Sequence, residues 1–232
     1  MPEPAKAELL RSLARLVRGL SALFWGLPLT LIVYVQTART DWLDLLGLMA
    51  IFPSLLVTGL LFFGLTQLRY FQKQERVWIR SVDSAQMLVF VNLGLCPFLY
   101  WWHKAPYIPF FTVAVSLLAF CSIFFLYNLN YVLERLTAML PDEALRIETR
   151  LFTSLNRSLL LAIPILVSSY VILANVSRLP GFLIAFLDGI SPFAVWIVLF
   201  LTLMPLAMTM ALIWKIKEVI FGSVFDARAG EK

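Results

Sequence analysis

Six stretches of about 20 predominantly apolar residues recur along this 232-residue chain, each long enough to cross a hydrocarbon core of roughly 30 Å as a helix. Inside a bilayer no water is present to bond backbone N–H and C=O groups, so each crossing segment must satisfy its own, and a helix does so. The pattern predicts an all-α integral membrane protein. One polytopic domain covers residues 1–232, with spans at about 20–37, 45–67, 84–102, 109–131, 158–176 and 192–214. Composition agrees: 61% of residues are hydrophobic and 14% charged, against roughly 45–50% and 25% in soluble domains.

The charges between the spans set an orientation. Lys6, Arg11, Arg15 and Arg18 precede span 1, and Arg69, Lys73, Arg76 and Arg80 lie between spans 2 and 3. Arg135, Arg146, Arg150 and Arg157 lie between spans 4 and 5, and Lys215, Lys217, Arg228 and Lys232 follow span 6. The three alternate connections hold one cation each, Arg39, Lys104 and Arg178. By the positive-inside rule the cation-rich side is cytoplasmic, and both termini with it. This asymmetry accounts for the excess of 19 Lys and Arg over 14 Asp and Glu without a nucleic-acid partner. Compactness and short outer loops suggest a plasma (inner) membrane of bacterial type.

Three connecting segments carry patterns of their own. In residues 5–19, Leu9, Leu13, Leu16 and Leu20 recur at helical spacing with Arg11, Arg15 and Arg18 on another face, which predicts an interfacial amphipathic helix. Pro141-Asp142-Glu143 reads as a helix start, followed by one apolar stripe of Ala144, Ile147, Leu151 and Leu155. Residues 178–191 are apolar but too short to cross, and predict an outer interfacial or re-entrant segment.

Ionisable groups at depth mark function in membrane proteins because they are expensive there. No Asp, Glu, Lys, Arg or His falls in the middle of a span. The lone histidine, His103, lies at a boundary after the aromatic run Tyr100-Trp101-Trp102, and Cys96 and Cys121 form no metal-ligand spacing with it. No catalytic, cofactor-binding or metal-binding residue is expected. Among polar side chains at depth, Asn92 is the amide, expected to clamp helices together or line a path. Pro28, Pro53, Pro97, Pro164 and Pro205 fall within five spans and predict helix kinks, since each removes a backbone donor.

These features favour a non-catalytic membrane subunit acting within a larger assembly, its partners the lipid bilayer and other membrane proteins. The order of elements is similar to that of the six-span permease domains of ABC-2-type exporters. The counterparts are an amphipathic N-terminal helix (5–19), a coupling segment after span 2 (68–83) and a re-entrant outer element (178–191). That layout carries no diagnostic motif, so it transfers no residue, and it implies a separate ATPase. A third alternative is a membrane enzyme acting on lipid or isoprenoid, whose charged groups would be Glu134, Asp142, Glu143 and Arg146.

Overall fold

A computed structural model describes residues 3–41, 47, 49–71, 75–140, 142–175 and 181–229, among which all regular structure is helical. Seven α-helices follow in order: α1 (Glu3–Arg39), α2 (Phe52–Arg69), α3 (Arg76–Leu95), α4 (Phe98–Lys104), α5 (Pro109–Ala138), α6 (Glu143–Asn175) and α7 (Gly181–Ala229). Six helical stretches are long and apolar enough to cross a membrane, with α3 and α4 counting as one, Arg76–Lys104. The protein is therefore a multi-pass membrane protein. Neighbours pack in a ring, α1–α2–α3–α5–α6–α7 and back to α1, with α4 held between α1 and α5.

The tightest seam joins α1 to α2. A Cβ built on Gly19 would lie 2.8 Å from the carbonyl oxygen of Gly64, and one on Gly64 would lie 2.9 Å from Leu23 Cγ. Small residues let two helix backbones approach in this way where lipid offers no hydrophobic drive for association. Leu16, Leu20 and Leu23 of α1 continue from this seam into the main core, with Leu65, Leu68, Trp78, Leu133, Leu136, Ile213 and Ile216.

This packing alters the expected role of residues 5–19. They form the first half of α1, which runs into span 1 without a break and so is not a separate helix. The reason is in the spacing: Leu16, Leu20 and Leu23 extend one stripe across the expected boundary and are fully buried, while Arg11, Arg15 and Arg18 remain exposed. Residues 181–191 likewise belong to α7, which runs from Gly181 through span 6, so no chain reversal of a re-entrant kind occurs there. Residues 178–180 lie outside the described residues.

The prolines divide into three classes. Pro28, Pro164 and Pro205 lie inside α1, α6 and α7, which continue across them. Pro53 lies within the span Met49–Arg69, in the first turn of α2, where its missing N–H is one that a helix start leaves unpaired anyway. Pro97 separates α3 from α4 with helical dihedrals. It cannot donate to the carbonyl of Leu93, which instead accepts the Cys96 thiol at 3.4 Å. The crossing therefore survives the interruption.

Ion pairs mark the two ends of the bundle. Arg69 meets Asp83 and Arg157 meets Glu134, each at 3.1 Å, at the cation-rich end; His103 and Asp41 meet at 2.9 Å at the other. From Asp83 to His103 the chain rises about 30 Å at 1.5 Å per residue, the thickness of a hydrocarbon core. At the far end Trp101 stacks on Phe111, centroids 6.5 Å apart, and Phe98 meets Phe110 edge-on at 5.6 Å, fixing α4 against the start of α5. Toward the outer end α1, α2 and α4 stay packed around Thr37, Ala50, Ser54 and Tyr100, whereas the outer part of α6 does not. Residues 165–167 and 169–172 of α6 are exposed around the full circumference of the helix.

Candidate functional site

A buried polar node joins α5, α6 and α7. Asn130, Asn156 and Thr209 are each no more than 1% exposed. Asn156 Nδ2 lies 3.0 Å from Asn130 Oδ1, 2.9 Å from Thr209 Oγ1 and 3.1 Å from the Pro205 carbonyl oxygen. Asn130 Nδ2 donates to Thr209 Oγ1 at 3.0 Å and to the Leu126 carbonyl at 2.8 Å, and Thr209 Oγ1 donates to Pro205 O at 2.8 Å. The network fixes the Asn156 amide. Reversed, its oxygen would face two further acceptors, Asn130 Oδ1 and Pro205 O. As placed, Asn156 Oδ1 is left buried without a hydrogen-bond partner.

The local sequence explains why α6 turns these groups inward. Its buried line is Leu145, Thr149, Thr153, Asn156, Leu160 and Ile163, spaced three or four apart, which is one face of a helix. The predicted apolar stripe lies on the opposite side: Ile147, Leu151 and Leu155 are 60–64% exposed. A helix meeting lipid directs apolar side chains outward and its hydrogen-bonding side chains toward neighbouring helices, the reverse of a soluble protein. The structure thus uses the polar face of α6, not the apolar one, to pack.

A charged layer lies one turn away. Glu134 Oε2 pairs with Arg157 Nη2 at 3.1 Å and lies 3.4 Å from Thr153 Oγ1. Arg157 Cζ sits 5.8 Å from the Tyr127 ring centroid and 6.0 Å from that of Tyr131. Nearby, Lys215 of α7 pairs with Glu148 of α6. The four charged residues considered for an enzyme do not converge: Glu134 is in this layer, whereas Asp142 Oδ1 caps α6 by accepting the Leu145 N–H at 3.0 Å, and Glu143 and Arg146 are exposed. The predicted helix start at Asp142 is thereby accounted for.

Other sequence-singled residues are placed as follows. Asn92 faces inward at 4% exposure, and its Oδ1 makes no hydrogen bond. Its side chain is remote in sequence and contact from the node. His103 is at the far boundary with Asp41, whose side chain is 88% exposed, a pairing of little energetic weight. Cys96 and Cys121 are free thiols. Thr58 bonds Tyr34 Oη at 2.7 Å, a second interhelical contact, between α2 and α1. No group of three or more His, Cys, Asp or Glu side chains converges to hold a metal among the described residues.

Because the Asn92 oxygen is buried without a partner, Asn92→Leu is expected to leave thermal stability unchanged or raise it by up to about 1 kcal/mol, since an unsatisfied buried polar group costs about 1–3 kcal/mol. Reversible unfolding in detergent measures this directly. A loss above that size would show that the amide makes a bond the packing does not reveal.

The node's chemistry is that of a fastener: amide and hydroxyl groups that bond one another across three helices and do not ionise near neutral pH. Compared with protein-family models, with curated proteins and with solved structures, the chain matches none.

Proposed function

We propose that this protein is a non-catalytic integral membrane subunit that works inside a larger membrane protein assembly. The observation that carries the reading is the exposure of the outer parts of α6 and α7. A helix bordering lipid exposes one side and buries the other, yet α6 is exposed all round at 165–167 and 169–172, and Trp196, Ile197, Leu199 and Phe200 of α7 are exposed too. Ser169 lies in this stretch beside Ser168. Small hydroxylated residues suit close helix–helix packing in membranes, so a helix of a partner protein is the natural occupant.

In this reading the basic end is cytoplasmic, both termini lie there, and the membrane is the plasma (inner) membrane. Pro28, Pro164 and Pro205 bend their helices. The permease-type alternative, with a separate ATPase, now rests on the order of elements without its re-entrant outer feature, since residues 181–191 are continuous with span 6.

Purification from the native membrane in mild detergent tests the proposal. A stable co-migrating membrane protein is expected, and a lone monomer at native abundance would sink the reading. Co-purification of a nucleotide-binding subunit with ATP-dependent export would favour the permease alternative instead. A reporter fused after Lys232 is expected to be cytoplasmic; an outer signal would overturn the orientation.

A further inference from the structure

We propose that Arg135, Tyr131 and Arg157 form a headgroup site for a net-anionic phospholipid at the basic end of α5. The depth is right. Pro109 to Arg135 along α5 is about 39 Å at 1.5 Å per residue, close to the roughly 40–45 Å of a bilayer with its headgroups. With Pro109 at one boundary, Arg135 lies at the phosphate level of the other.

The site is built and carries a cation that no carboxylate contacts directly among the described residues. Arg135 Nε and Nη2 donate to one neutral oxygen, Tyr131 Oη, at 3.1 and 2.9 Å, and its Cζ lies 5.2 Å from the same ring centroid. This holds the guanidinium in one orientation while three of its five N–H donors remain for an anion. Among the described residues Arg135 forms no ion pair. Glu75 and Glu134 lie within electrostatic range of it, but Glu134 is paired with Arg157. Arg157 brings a second guanidinium to the same ring, at 6.0 Å. Two cations therefore flank Tyr131, with one carboxylate, Glu134, paired to Arg157 and a second, Glu75, within electrostatic range of Arg135 but not bound to it.

An apolar track leads away from that anion position. Below Tyr131 and Asn128, whose amide donates to the Phe124 carbonyl at 3.0 Å, the same face of α5 continues through Phe124, Leu117, Val113 and Phe110, at helical spacing. Phe124, Leu117, Val113 and Phe110 are 45–65% exposed. A phosphate held at one end of an exposed apolar line that crosses the hydrocarbon describes a phospholipid rather than a soluble phosphate or an acidic protein segment. Arginine provides the planar fork that phosphate oxygens accept.

The test uses the full chain in neutral detergent, with phosphatidylglycerol or phosphatidylcholine added and bound lipid counted by native mass spectrometry. Phosphatidylglycerol is expected to bind at least about fivefold more tightly, the contribution of one cation near an anionic lipid surface. Arg135→Gln should abolish that preference without changing the lipid-free melting temperature. Tyr131→Phe, which keeps both cations and loses only the positioning oxygen, should weaken it by a few-fold. Arg150→Gln, an exposed cation at the same end, should leave it intact. Equal affinity for the two lipids, or equal losses in the Arg135 and Arg150 variants, would overturn the site. Displacement of phosphatidylglycerol by millimolar inorganic phosphate would also overturn it, as the mark of a soluble phosphate site.

Discussion

Gly19→Ala is expected to destabilise the bundle by about 2 kcal/mol, within the range of overpacking in a tight interface. The added Cβ would lie 2.5 Å from Leu68 Cδ1, 2.8 Å from the Gly64 carbonyl oxygen and 3.0 Å from Gln67 Cβ. The leucine methyl can rotate aside. The carbonyl is backbone and cannot, so α1 and α2 must separate along the seam from which the core extends. Gly59→Ala, in the same helix as Gly64 but with nothing within 4 Å of the added carbon, is the matched control and should change stability by no more than about 0.5 kcal/mol. Leu68→Ala in the Gly19→Ala background should recover none of the loss and add about 2–5 kcal/mol of its own, because Leu68 is fully buried in the core and the carbonyl contact remains. Unfolding by titration from mild to denaturing detergent gives all three values. Equal behaviour of the two glycine variants would mean that the helices do not approach as closely as Gly19 and Gly64 require.

How much of this was legible beforehand depends on which solvent the residues were read against. Crossing segments are a matter of length and apolarity, so six were countable from the sequence, and the Asp142 start of α6 followed from capping chemistry. The boundaries were drawn too tightly wherever helices extend past the hydrocarbon. Residues 5–19 looked like a surface helix because their arginines suggested one, but Leu16 and Leu20 are in phase with Leu23 and belong to the core. Asn130 and Asn156 escaped notice as a pair for another reason. They are 26 residues apart, Asn130 at the cytoplasmic end of span 4 and Asn156 in the segment between spans 4 and 5, where an amide is unremarked. The usable signal was the line Thr149, Thr153, Asn156 in phase with Leu160 and Ile163, a polar stripe joining an apolar one. It was masked by the stronger stripe Ile147, Leu151, Leu155, which faces outward. Asn92, by contrast, was conspicuous for its depth, yet depth says nothing of whether a partner stands opposite.

Asn156→Leu is expected to lower stability by about 2 kcal/mol. The change keeps the volume roughly constant but removes the one donor that reaches Asn130 Oδ1 among the described residues, leaving an acceptor buried without a partner at a cost of about 1–3 kcal/mol. Two effects limit the loss. Asn156 Oδ1 is itself unpartnered, so its removal relieves one penalty, and Pro205 O retains the Thr209 hydroxyl at 2.8 Å. Interhelical bonds in membranes average only about 0.6 kcal/mol, so the orphaned acceptor, more than the lost bonds, carries the effect. That attribution has a consequence for pairs of substitutions. Asn130→Leu added to Asn156→Leu removes the orphan, so the double variant should fall short of the sum of the two singles by about 1 kcal/mol or more, the size of coupling seen within a hydrogen-bonded network. Strict additivity would show that the amides act separately. A neutral Asn156→Leu would show that α5, α6 and α7 are held by their leucines and isoleucines alone, and that the node is a tolerated polar inclusion instead of a clamp.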